Sequence, residues 1–114
     1  MHYHFYRLEG HKAIPESDVL KWGRWFEKAN RRVANTEGRV KLNGKPIGLV
    51  RVSTVFLGLD HQLSNGPPLL FETMVFGGPM DNEMIRTPTW EAAEVAHEQM
   101  IERVKLETQK AGES

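Results

Sequence analysis

Two apolar runs dominate the chain, and neither alternates as a half-exposed strand should. Successive side chains of an extended strand point to opposite faces of its sheet. In the strand expected over residues 49–59, Val50, Val52, Thr54 and Phe56 share one face, while Ser53, Val55, Leu57 and Leu59 share the other. Both faces are therefore apolar toward its C-terminal half. Residues 69–76 repeat the pattern, with Leu69, Phe71 and Val75 opposing Leu70, Met74 and Phe76. An antiparallel sheet open to water on one side would alternate cleanly. The stretch 50–78 thus reads as the core of a sheet that needs cover on both faces. A second subunit is the favoured cover, giving a homodimer, with strong sheet curvature in one chain as the alternative.

The remaining pattern supplies the other elements. Residues 2–8 are rich in aromatic and β-favouring types and read as a first strand. Pro15, Glu16 and Asp18 resemble a helix start, and Val19, Trp22, Gly23 and Phe26 follow at helical spacing, predicting a helix over 15–29. A short polar strand is expected over 31–36, closed by Glu37-Gly38. Asn43-Gly44 is a two-residue hairpin signal, because both positions tolerate positive φ. Asn65-Gly66-Pro67-Pro68 breaks regular structure, Gly77-Gly78 reads as a tight turn, and residues 84–86 suit a brief edge strand. Trp90, Ala93, His97, Met100, Ile101 and Val104 recur at helical intervals, predicting a last helix over 87–108 capped by Thr87 or Thr89. Residues 109–114 are expected to fray. The order is β-α-β-β-β-α, an α+β fold with a mostly antiparallel sheet of four to five strands and two helices packed on it.

Composition limits the partners. At 114 residues the chain fits one domain spanning 1–114. Fifteen basic residues against fifteen acidic ones leave no overall field to attract nucleic acid or an anionic membrane. The basic stretches 28–32 and 39–45 carry no interleaved aromatic residues. There is no cysteine, which excludes disulfides, thiolate metal sites and cysteine nucleophiles and fits a reducing cytoplasm. Neither a membrane span nor a secretion signal is read from the sequence.

Five residues stand out as candidate ligand-binding groups. Glu72 lies within an apolar strand, where a carboxylate needs an ion-pair partner such as Arg51, solvent at an edge, or a ligand. Asp60 and His61 follow a strand at the mouth of a loop, where Asp60 can equally cap the turn. His97 sits on the apolar face of the last helix, and a contact with Glu72 would account for two awkward polar groups together. Trp90 offers a ring for stacking, as do Trp22 and Trp25. His2-x-His4 has chelating spacing, but no carboxylate or thiolate completes a metal set, so neither metal nor cofactor is expected. No nucleophile elbow is present, and a trio of Ser53, Asp60 and His97 exists only on paper.

Residues 52–61 (Val-Ser-Thr-Val-Phe-Leu-Gly-Leu-Asp-His) and 66–78 (Gly-Pro-Pro-Leu-Leu-Phe-Glu-Thr-Met-Val-Phe-Gly-Gly) carry a resemblance, together with Thr89-Trp90, His97 and Met100. These strings, about half of the chain, resemble a family of small uncharacterised phage and prophage proteins. The resemblance implies a protein acting in the host bacterial cytoplasm. By association it also implies a counter-defence role in which a host protein is bound or a small polar molecule, such as a signalling nucleotide, is sequestered. The leading expectation is accordingly a noncatalytic binding protein. The rival is a small hydrolase or nucleotide-processing enzyme using Glu72 or His97 as base, with Asp60 and His61 holding substrate or a metal.

Overall fold

The structure is a computed structural model describing residues 4–42, 44–61 and 65–113. Six strands and two helices follow in the order β1 (Tyr6–Glu9), β2 (Lys12–Pro15), α1 (Val19–Lys28), β3 (Arg32–Leu42), β4 (Lys45–Phe56), β5 (Phe71–Phe76), β6 (Met84–Thr87) and α2 (Trp90–Glu113). Strands β3-β4-β5-β6 form one antiparallel sheet in sequence order, and β1-β2 form a separate hairpin. The molecule is α+β, with the helices packed against antiparallel sheets.

Helix α2 lies across the four-stranded sheet and seals one face of it. From Val50 onward burial along β4 alternates, as it does along β5: Val50, Val52, Thr54 and Phe56, with Phe71, Thr73 and Val75, are buried under α2, and the intervening residues are not. Ala93, Ala96, His97, Met100 and Val104 close the core from the helix side. The apolar residues that broke the alternation in sequence lie on the outer face, where Val55 and Met74 are half-buried and Leu49 and Phe76 exposed. Side-chain contacts partly shield this face: the Arg51 guanidinium lies 4.5 Å over the Phe76 ring, and Arg86 pairs with Glu72.

Several element boundaries differ from those the pattern predicts; the first strand, expected over 2–8, runs from Tyr6 to Glu9, with residues 2 and 3 outside the described ones, and the strand expected to end at residue 59 ends at Phe56. Residues 12–15, expected in part as a helix start, form β2, because Asp18 rather than Pro15 supplies the helix cap. Its Oδ1 accepts from the backbone N–H groups of Leu20 and Lys21 at 3.0 and 3.2 Å. The hairpin of β3 and β4 is much longer than expected, with Glu37-Gly38 inside the ladder opposite Arg51 and Val50. Its turn contains Gly44 at φ +77°, whereas Asn43 lies outside the described residues. Thr89 begins α2 by accepting from the Ala92 N–H, which leaves Pro88 ahead of the helix. At its far end α2 continues to Glu113.

Two glycines fix how the pieces meet. Gly58, at φ +78°, lets α1 approach the end of β4, since a Cβ there would stand 3.1 Å from Trp22 and 3.2 Å from Phe26. Gly77, at φ +90°, turns the chain after β5, and a Cβ there would lie 2.5 Å from the Leu49 carbonyl oxygen. The Gly77 N–H donates to Asp81 at 2.6 Å, so the Gly-Gly pair forms the expected tight turn.

Candidate functional site

His97 projects from α2 into the core at 1% exposure and is held at both ring nitrogens. Its Nδ1 lies 2.8 Å from Thr54 Oγ1, and its Nε2 lies 2.9 Å from Thr36 Oγ1. Thr54 in turn meets Thr73 Oγ1 at 2.7 Å, and both of those threonines are fully buried. The line Thr36–His97–Thr54–Thr73 therefore ties α2 to β3, β4 and β5. Desolvation pushes the imidazole pKa below its ordinary value, opposed by the weaker pull of Glu98. A neutral ring suits the site, because each hydroxyl can donate or accept as the tautomer requires.

Glu72 is not part of this arrangement. It faces the other side of the sheet, directly opposite Arg86 on β6, where its Oε2 accepts from Arg86 Nε at 3.2 Å. The expected contact with His97 is thus replaced by two unrelated solutions on opposite faces, and the ion-pair partner is Arg86, not Arg51. Asp60 acts within the loop: its Oδ1 accepts from Leu69 N–H at 3.2 Å, and its own N–H donates to the His4 carbonyl at 3.0 Å. His61 continues that closure by donating its N–H to the Leu69 carbonyl at 3.4 Å. Ser53 points to the outer face, so the paper trio with Asp60 and His97 does not assemble.

The fifth candidate, Trp90, lies in a different setting. It opens α2 and lines a groove of about 630 Å³ between the β1-β2 hairpin and Pro67-Pro68. Edge-to-face contacts from Trp25 to Phe56, Phe56 to Phe71 and Phe71 to Trp90 anchor the indole to the core. The imidazole of His11 stacks on it with centroids 3.9 Å apart and planes 6° apart. The shielded Trp90 Nε1 has no hydrogen-bond acceptor. Trp22 and Trp25 are committed elsewhere: Trp22 donates to the Tyr6 carbonyl at 2.8 Å, and Trp25 packs on Phe56.

The groove holds carboxylates at Glu9 and Glu91 against one ammonium at Lys12, and Glu9 is paired with Arg7 at 2.6 Å. No positive excess is available for a phosphate. Sequence reasoning missed His11 and Tyr6 as groove residues because their meeting with Trp90 depends on the folding back of β1-β2. Pro67-Pro68, read only as a loop, forms the opposite wall. Among the described residues no cluster of three His, Asp or Glu side chains could hold a metal ion, and His2 lies outside them. No described helix is long and apolar enough to cross a membrane. Comparisons with protein-family models, curated proteins and solved structures found no match.

Proposed function

We propose that this chain is a noncatalytic binding protein that grips an extended segment of a partner protein in the Trp90 groove. The observation that carries the reading is the groove itself: a core-anchored indole, an exposed imidazole stacked on it, two prolines opposite and carboxylates at the rim. Arginine and proline side chains suit such a surface. A guanidinium stacks on tryptophan and finds a carboxylate, and a proline-rich segment loses little entropy on docking between rings. The charge balance disfavours a nucleotide there, which favours the host-protein form of the expected role over nucleotide sequestration. The enzyme reading is less well supported, since its base candidates are enclosed in the core or engaged in an ion pair on the other sheet face.

In the setting implied by the phage-like strings, the partner is a host cytoplasmic protein and the role is accessory or counter-defence. A second copy of the chain covers the outer sheet face, which combines apolar Val55, Met74 and Phe76 with both signs of charge in Glu72 and Arg86. A twofold contact requires such a self-complementary surface. The groove reading is tested by calorimetric titration with a synthetic peptide of repeated Pro-Pro-Arg triplets, its Pro-Pro-Glu counterpart and adenosine monophosphate. Saturable binding of the arginine peptide alone supports it. Failure of that peptide to bind, or binding of the nucleotide in its place, overturns it.

A further inference from the structure

A second cavity, of about 590 Å³, lies toward the other end of α2 from the Trp90 groove, where the C-terminal half of the helix meets the long β3-β4 hairpin. Its floor is aliphatic: Val50, Val52 and Val104 belong to the buried core, and Ile101 packs beside them. No aromatic ring lines it, so nothing there would stack a base. Arg39, Lys41 and Lys105 line it with one anion, Glu37, but Arg39 and Glu37 lie opposite Leu49 and Arg51, so their side chains leave on the outer face and Lys41 and Lys105 are the cations at the rim. Lys105 also approaches Glu102 at 3.4 Å, an exposed pair of the kind that holds a lysine only weakly. Thr108 in the wall is 7% exposed, and its shielded hydroxyl has no hydrogen-bond partner. Such an orphan is uncommon in a buried position and is relieved by an incoming acceptor.

We infer that this cavity binds a small amphiphile with a single saturated chain and an anionic head, of the fatty-carboxylate class. The chain lies against Ile101 and the few exposed atoms of Val50, Val52 and Val104, removing mainly its own apolar surface from water. The carboxylate is held by Lys41 and Lys105 and meets the Thr108 hydroxyl. The volume falls in the range of small-molecule sites, about 300–1,000 Å³. Thr36 also lines the cavity and touches His97 Nε2, so a bound chain dries the outer end of the buried histidine line.

The test is calorimetry of the full chain with decanoate and with decanol, combined with the His97 imidazole resonances in a nitrogen-15 spectrum. Decanoate is expected to bind saturably and to shift the His97 signals, with decanol weaker by about tenfold, the factor that corresponds to roughly 1.4 kcal/mol. Reversing the rim with Lys41→Glu and Lys105→Glu, both at the surface, should weaken decanoate by a similar factor and leave decanol unchanged. Val104→Leu, which crowds the floor, should weaken both ligands. Absence of decanoate binding, equal affinity for the alcohol and the acid, or indifference to charge reversal overturns the assignment. Loss of binding on Trp90→Ala with none on charge reversal does so too, by moving the site to the other groove.

Discussion

Replacing Thr54 by valine removes one oxygen and orphans two buried groups. His97 Nδ1, 2.8 Å away, loses its partner, and so does Thr73 Oγ1 at 2.7 Å. Thr54, Thr73 and His97 are all at 1% exposure or less, so water cannot substitute without opening the core. Leaving a buried polar group unsatisfied costs about 1–3 kcal/mol, which puts Thr54→Val at roughly 2–6 kcal/mol for the two. That is a large part of the ~5–15 kcal/mol by which domains are stable. Thr36→Val provides the contrast, because it orphans one group, Nε2, and Thr36 itself is exposed; the expected cost is about 1–3 kcal/mol, half that of Thr54→Val. Thr54→Val with Thr73→Val together should cost less than the sum of the two alone, since the double variant no longer strands the Thr73 hydroxyl. Urea unfolding at pH 7.5, with unchanged slope, reads the wild type, the three single variants and the double variant. Equal and small losses for Thr54→Val and Thr36→Val would refute the account of the core.

The same histidine sets an acid response. Its native pKa is lowered by burial, so the unfolded chain takes up the proton first, and this contribution to stability is full above about pH 6.5. It is lost as the pH falls from there toward the lower native value. The urea midpoint should therefore drop between pH 7.5 and 5.5, and His97→Gln should flatten that drop; an unchanged slope contradicts it. Gly77→Ala should cost at least about 2 kcal/mol, because positive φ and the approach to the Leu49 carbonyl act together. Gly23→Ala, in α1 with nothing near its added methyl, should stabilise by about 0.5–1 kcal/mol, and thermal melts that rank the two the other way would contradict the backbone geometry. Light scattering after size exclusion should give twice the 13.1 kDa chain mass, reverting to one chain on Met74→Asp at the outer face; a wild-type monomer at micromolar concentration removes the dimer.

The elements that form the core were legible because their signals are local. Apolar runs in β4 and β5 and the helical recurrence from Trp90 to Val104 identify the buried stretch without knowledge of its neighbours. The apolar content of the outer face, at Val55, Met74 and Phe76, is what makes both sides read as covered in the sequence; within the single chain the buried positions of residues 50–56 and 71–75 are the alternate ones under α2. The start of α1 was displaced because Pro15 and Asp18 are both good starters, and only the hydrogen bonds to Asp18 decide between them. Partners of the candidate groups were not legible at all. His97 finds Thr36 across 61 residues and Thr54 across 43, distances at which no spacing rule operates. The Trp90 groove likewise depends on a hairpin about 80 residues earlier in the chain. Only the aromatic and double-proline character of its parts was visible beforehand.

The claim that Trp90 and His11 form the contact surface for a partner segment is tested most directly by the three tryptophan indole N–H resonances. In a titration with the Pro-Pro-Arg peptide, the Trp90 signal should move or broaden while those of Trp22, bonded to the Tyr6 carbonyl, and Trp25, packed on Phe56, stay in place. A peptide that leaves Trp90 unmoved, or that perturbs all three indoles alike, contradicts the claim.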